Sequence, residues 1–153
     1  MVAAATAPRR ADRRADGARA CRRALTVRYL GLDVGDRRIG VAVADDGFAV
    51  ARPLQTIRRR SVASDLHAVG DVAKKEGASR LVIGLPLTLA GDEGHQALRV
   101  RRFAEAASAL GLPIDLYDER HTSVEAARLG AKDVDAGAAA LLLEDFLRSR
   151  ARP

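Results

Sequence analysis

Three acids, Asp33, Glu119 and Asp135, are spaced so that two strand ends and a helix start would bring their carboxylates together. Asp33 stands near the end of an apolar run, Tyr29 to Val34, that is bounded by Gly35 and Asp36. Such a run suits a central strand covered on both faces. An ionised carboxylate there needs a hydrogen-bond partner, a counter-charge or a metal. Three carboxylates with no basic side chain among them suit Mg²⁺ or Mn²⁺, which prefer oxygen ligands and keep waters of their own. Two such ions about 3.5 to 4 Å apart can activate water and stabilise the leaving oxygen of a phosphodiester; one ion is compatible with the same set. Each acid also has a structural use. Asp33 can accept turn amides, Glu119 can pair with Arg120 or cap a following helix, and Asp135 suits the N-terminal dipole of the last helix. Asp118 and Asp133 compete for the same roles on spacing alone. His121 is near enough to shuttle protons, although a lone histidine beside such a site is more often structural.

The elements that must hold these acids follow from periodicity. After the first strand, Ile39, Val41 and Val43 alternate with Gly40, Ala42 and Ala44. The small face leaves room for close packing. Asp45-Asp46-Gly47 predicts a tight turn, and Ala49 to Ile57 a third antiparallel strand, with Pro53 at the sheet edge. Ser61 opens a helix whose apolar stripe is Val62, Leu66, Val69, Val72 and Ala73, closed by Gly77. Arg80 to Leu85 reads as a strand leaving through GLPL, followed by a polar, flexible loop, TLAGDEG. Ala97, Val100, Ala104, Ala107 and Leu110 mark a second helix, ended by Gly111 and Pro113. Pro113 to Tyr117 is a fifth strand. Thr122 and Glu125 have capping-box spacing, predicting a short helix over 123–129. Val134 to Leu147 forms the last helix. The β-β-β-α-β-α-β-α order predicts an α/β fold. Its mixed five-stranded sheet has an antiparallel first trio, the first strand central and helices on both faces. The C-terminal ends of strands one, four and five then share one edge, with Asp33 and Glu119 on it and Asp135 within reach.

Composition narrows the partners. The chain has 153 residues and a net charge of +6. That length fits one domain with a core needing no disulfide or metal for stability. Residues 1–27 hold seven arginines and two aspartates, so 28–153 carry 19 basic and 18 acidic residues and are nearly neutral. The basic excess belongs to an Ala- and Arg-rich stretch without core-forming periodicity, read as a disordered extension over 1–27 before a domain at 28–150. Arg37-Arg38, Arg58-Arg59-Arg60 and Arg101-Arg102 suit either a phosphate-binding face or ordinary solvated surface. One cysteine, Cys21, and three histidines exclude a disulfide framework and a zinc cluster and fit a reducing cytoplasm. No apolar run is long enough to span a membrane. Three Phe and two Tyr are few for a base-stacking platform, so nucleic-acid contacts would rest on phosphates and metal.

The segments LGLDVGDRRIGVAVAD, PLQTI, LVIGLPLTLAGDEGHQALRVRRFAE, DERHTSVEA and VDAGAAALLLEDFL occur in one order. Together they resemble the YqgF (RuvX-like) family of pre-16S rRNA nucleases, also described as Holliday junction resolvases, over about residues 28–148. The resemblance implies an RNase H-like fold and a cytoplasmic, Mg²⁺- or Mn²⁺-dependent nuclease. Its catalytic and metal-binding acids would be Asp33 in GLDVG, Glu119 in DER and Asp135 before the Ala-rich helix. It also implies that Arg38, Gln96, Arg99, Arg120 and Thr122 line the substrate edge. The partners it implies are precursor rRNA or branched DNA and a ribosomal particle, with the protein a monomer or homodimer. Two features depart from the family pattern. Only GAKDV separates the DER segment from the last helix, with Lys132 its one basic residue, and His121 replaces a usual leucine. GLDVGDRRIGVAVAD is also similar to the first phosphate loop of actin-like ATPases and sugar kinases, but those need two such domains. A non-catalytic rRNA- or transcription-associated binding module is the alternative of another class.

Overall fold

The computed structural model describes residues 26–48, 50–88, 90–118 and 133–151. In chain order these form β1 (Arg28–Val34), β2 (Arg38–Asp45), β3 (Arg52–Arg58), α1 (Val62–Glu76), β4 (Arg80–Leu85) and α2 (His95–Ala107). A 3₁₀ turn (Ser108–Leu110), β5 (Ile114–Asp118) and α3 (Val134–Ala151) complete them. The expected extension up to residue 25 and the expected short helix at 123–129 lie outside the described residues.

The sheet order is β3-β2-β1-β4-β5. β1 pairs antiparallel with β2 and parallel with β4; β2–β3 is antiparallel and β4–β5 parallel. The nearly continuous apolar run therefore forms the central strand, as expected of a strand buried on both faces. Alternation divides its neighbours. Leu30, Leu32, Ile39, Val41 and Val43 join Val69, Val72, Val100 and Phe103 beneath α1 and α2. Tyr29, Ala42 and Ala44 join Ala139, Leu143 and Phe146 of α3 on the other face. Helices thus cover both faces. Fully buried Leu30, Leu32, Ile39 and Ile83 contribute about 1.5–3 kcal/mol each, which makes β1 a rigid platform for the residue near its end.

The small face of β2, continued by Gly31 of β1, has the use its residues foretell. A side chain at Gly31 would meet Leu143 Cβ at 3.1 Å and the Ala139 carbonyl at 3.2 Å, and one at Gly40 would overlap the Asp135 carbonyl. Helix α3, itself Ala-rich through Ala136, Ala138, Ala139 and Ala140, lies with its backbone against this face.

Local chemistry fixes the boundaries. Ser61 caps α1 by accepting from the Ser64 amide, while the Ser64 side chain accepts from the Ser61 amide, and Gly77 ends the helix at φ 70°. The third strand begins at Arg52, three residues later than expected. The Ala51 amide donates to Glu144 Oε1 at 3.0 Å, so it is taken by α3 and not by the sheet. Pro53 lies on an edge strand, and the register step between Val41↔Gln55 and Ala42↔Pro53 leaves Leu54 as a bulge residue. Val27, read as the end of the extension, packs against the α3-side cluster, and its carbonyl accepts from the Asp46 amide at 2.8 Å. The loop expected to be flexible carries a bridge and a turn. Leu87 bridges Glu93, the Thr88 amide donates to the Asp92 carbonyl, and Gly91 takes φ 87°. The second helix stops at Ala107, and Leu110 falls in the 3₁₀ turn before Gly111 at φ 75°.

Candidate active site

Asp33 lies opposite Gly40 in the β1–β2 ladder, and Gly40 carries the backbone of Asp135 on its open face. Register and helix packing therefore bring the first and last expected acids, about a hundred positions apart, to the same face and edge. Both are half-buried. Burial pushes the Asp33 carboxyl above its ordinary value, and the negative charge of Asp135 pushes it the same way. A carboxylate so placed is short of positive charge, which is the condition a cation relieves.

Asp135 has one cation already, since Arg38 Nε lies 3.3 Å from its Oδ2. Arg38 is largely exposed, so its other donors face outward. Asp133, the competitor for this role, is used structurally. Its Oδ1 accepts from the Thr56 hydroxyl of β3 and from the Ala136 amide at 3.2 Å, capping α3 and tying it to the sheet. The Thr56 hydrogen bond, first, and the backbone amides hold the Asp133 carboxyl below its ordinary value. Spacing could not separate Asp133 from Asp135; the cap gives Asp133 a structural use.

The remaining expected positions divide. Gln96 and Arg99 are exposed on the first turns of α2, where Arg99 Nη1 contacts Asp36 Oδ1 at 2.5 Å in the β1–β2 turn. They stand at the same edge of the sheet as Asp33, but on the α1–α2 side. Glu119, Arg120, His121 and Thr122 lie outside the described residues. Strand β5 ends at Asp118, immediately before Glu119. Among the described residues no group of three His, Cys, Asp or Glu side chains forms a metal cage; Asp33 and Asp135 are two carboxylates of the expected three.

Sequence reading also missed a fixture beside the site. Arg59 looks like one of three solvated arginines, yet it is only 21% exposed and pairs with Asp65, which is 2% exposed, at 3.2 Å. Its Nη1 donates to the Gly35 carbonyl at 3.0 Å and its guanidinium lies over Phe103. The Asp65 carboxylate also accepts from the Arg60 amide. Arg59 therefore clamps the turn that follows Asp33. The signal was Asp65 in the first turn of α1, where an acid is common enough to escape notice. Beside this clamp, Asp36, Arg60, Ser61, Val62 and Arg99 line an open depression of about 410 Å³.

The arrangement is an acidic pair at the end of a rigid strand, flanked by arginines on both sides of the sheet edge. Comparison with known proteins bears on the family and the fold. Residues 27–149 match the RuvX family, described as Holliday junction resolvase. The chain is 44% identical over 136 residues to an Anaeromyxobacter sp. (strain K) protein named "Putative pre-16S rRNA nuclease", covering 82% of this chain and 99% of that one. A protein of the same name from Chloroflexus aggregans (strain MD-66 / DSM 9485) is 40% identical over 135 residues, covering 81% and 95%. Among solved structures, T. thermophilus RuvC in complex with Holliday junction substrate superposes with a TM-score of 0.56 at 18% identity, over 82% of this chain and 97% of that one. This last likeness is one of fold, and the fold is the expected RNase H-like one.

Proposed function

The chain belongs to the RuvX family, and from that premise we propose that it is a divalent-metal-dependent nuclease that trims the 5′ end of precursor 16S rRNA in the cytoplasm. The observation that carries the reading is the meeting of Asp33 and Asp135 across Gly40, where burial and mutual repulsion leave Asp33 in want of a cation. Hard carboxylate oxygens are the donors Mg²⁺ and Mn²⁺ prefer. Asp33 and Asp135 would hold the ion with Glu119 as third ligand. In favour of Glu119 is its place in the chain, one position after β5 ends at Asp118.

When bound, the ion supplies an activated water and charge stabilisation for the leaving oxygen. The protein's own residues do the rest. Arg38 orients Asp135 and presents its free donors to a phosphate. The Asp133 cap fixes the first turn of α3, and the Arg59 clamp fixes the turn after Asp33. Gln96, Arg99, Arg120 and Thr122 line the path of the substrate strand.

The test is cleavage by the purified full chain of a precursor 16S rRNA substrate and of a four-way DNA junction, with Mg²⁺, with Mn²⁺ and with chelator. Cutting of the RNA with either ion and none in chelator is expected. Cleavage that survives chelation would refute the metal mechanism; preference for the junction would move the substrate to branched DNA, which the family description also names.

A further inference from the structure

Arg38 and Arg58 face each other directly across β2 and β3. Partners in such a ladder project from the same face, and that face is the one carrying Gly40, Thr56 and the start of α3. Both arginines are exposed. Arg38 has Asp135, but Arg58 makes no ion pair with any other described residue. Its neighbour Arg59 projects from the opposite face and is held by Asp65, Gly35 and Phe103, so these two consecutive arginines have different uses. Like charges directly opposite one another in a sheet are unfavourable. An anion lying between them reverses the sign.

We infer that Arg58 is a second phosphate-contacting arginine of this site, which with Arg38 grips one backbone phosphate of the substrate strand next to the bond that is cut. The inference rests on the nucleic-acid reading above. Arg58 sits two strands from Asp33 and two residues further toward the edge, which puts their Cα atoms roughly 12 Å apart at ~4.8 Å per strand and ~3.4 Å per residue. An arginine side chain reaches inward over half of that distance, leaving space for a neighbouring phosphate rather than the scissile one. The planar forks of two guanidiniums suit the oxygens of a phosphodiester.

The experiment uses the full chain and a labelled single-stranded RNA of precursor sequence. Binding is measured across a salt series, with cleavage in Mn²⁺. Arg58→Gln is expected to weaken binding about tenfold, as for loss of a hydrogen bond to a charged group. It should also flatten the salt dependence by about 0.7 in log–log slope, the value for one single-strand phosphate. KM should rise with kcat nearly unchanged, and the melting temperature should stay level or rise as the like-charge pair is relieved. Arg58→Lys should restore the salt slope and part of the affinity. Lys75→Gln removes one charge at the opposite end of α1 and should leave slope and affinity unchanged. If Arg58→Gln binds like Lys75→Gln while the wild type binds well, this inference fails and the nuclease reading stands. If Arg58→Gln is less stable with its salt slope intact, Arg58 merely balances the local acids and the inference again fails. A wild-type chain that binds neither RNA nor branched DNA refutes the nucleic-acid reading and this inference with it.

Discussion

Replacing Asp33 by Asn keeps the side chain's size and removes its charge, and the site predicts that stability and activity then move in opposite directions. In the folded protein burial and Asp135 both disfavour the Asp33 carboxylate. A carboxyl whose folded pKa lies above its ordinary value, 3.8, makes ionisation costly to the fold. The cost is absent below the unfolded pKa and fully present above the folded one. A pair of like charges about 6 Å apart repels by roughly 3 kcal/mol at an effective dielectric near 20. Solvent screening of these half-buried carboxylates lowers that figure. A net gain of about 1 kcal/mol for Asp33→Asn at neutral pH is expected, or about 3 °C in Tm for a chain of this size. The two proteins should converge as the pH falls toward 3.8.

Divalent ion should invert the comparison. A ligand at a hundred times its Kd stabilises the wild type by about 2.7 kcal/mol, or about 5–10 °C, and the Asn variant should gain little of this. Cleavage should be lost. The assay is thermal unfolding of both proteins with chelator and with Mn²⁺, across pH, beside a cleavage rate. An Asp33→Asn protein that is less stable without ion and still cuts RNA would mean that Asp33 serves the turn amides, and the metal-site reasoning would be refuted.

Two further outcomes test how the site is held. Gly40→Ala places a methyl group in the Asp135 carbonyl; displacing the start of α3 should cost about 1–3 kcal/mol, as overpacking does, and lower cleavage more than RNA affinity, read by denaturant unfolding and a KM-against-kcat comparison. Asp133→Ala removes the α3 cap and its tie to Thr56 and should cost about 1–2 kcal/mol. Because the folded Asp133 pKa is depressed, that contribution is present above about 3.8 and lost as the pH falls through the folded value, so the stability gap to wild type should narrow only in acid.

Much of the scaffold was legible because its signals are local. The apolar run of β1, the alternation of β2, the cap at Ser61 and the stops at Gly77 and Gly111 each act within a few residues, and each appears where those residues place it. The starting point of β3 and the packing of Val27 were less legible because long-range partners set them. The Ala51 amide is claimed by Glu144, ninety-three positions away, and Val27 is held by Asp46 and the α3-side cluster. The loop after β4 looked flexible from its polar, Gly-containing composition. It also holds a bridge between Leu87 and Glu93 that composition does not record.

The site itself was half legible, and the division has a physical cause. Residue type singled out carboxylates but could not say which of Asp133 and Asp135 faces Asp33, because residues two apart at a helix start differ only in which way the first turn is rotated. That rotation is set by Gly40. With no side chain there, the α3 backbone comes to rest at Asp135, while the Asp133 carboxylate turns back to cap the helix and take the Thr56 hydroxyl. The small face of β2 was visible in sequence as space without an occupant, and the Ala-rich start of α3 as a helix able to come close. Joining these two observations settles the rotation, gives Asp133 its structural use and leaves Asp135 beside Asp33. The same joining separates Arg58 from Arg59. Strand alternation sends one to the acidic face and the other to Asp65 on the opposite face, so a run of like charges that reads as one feature in sequence becomes two in the fold.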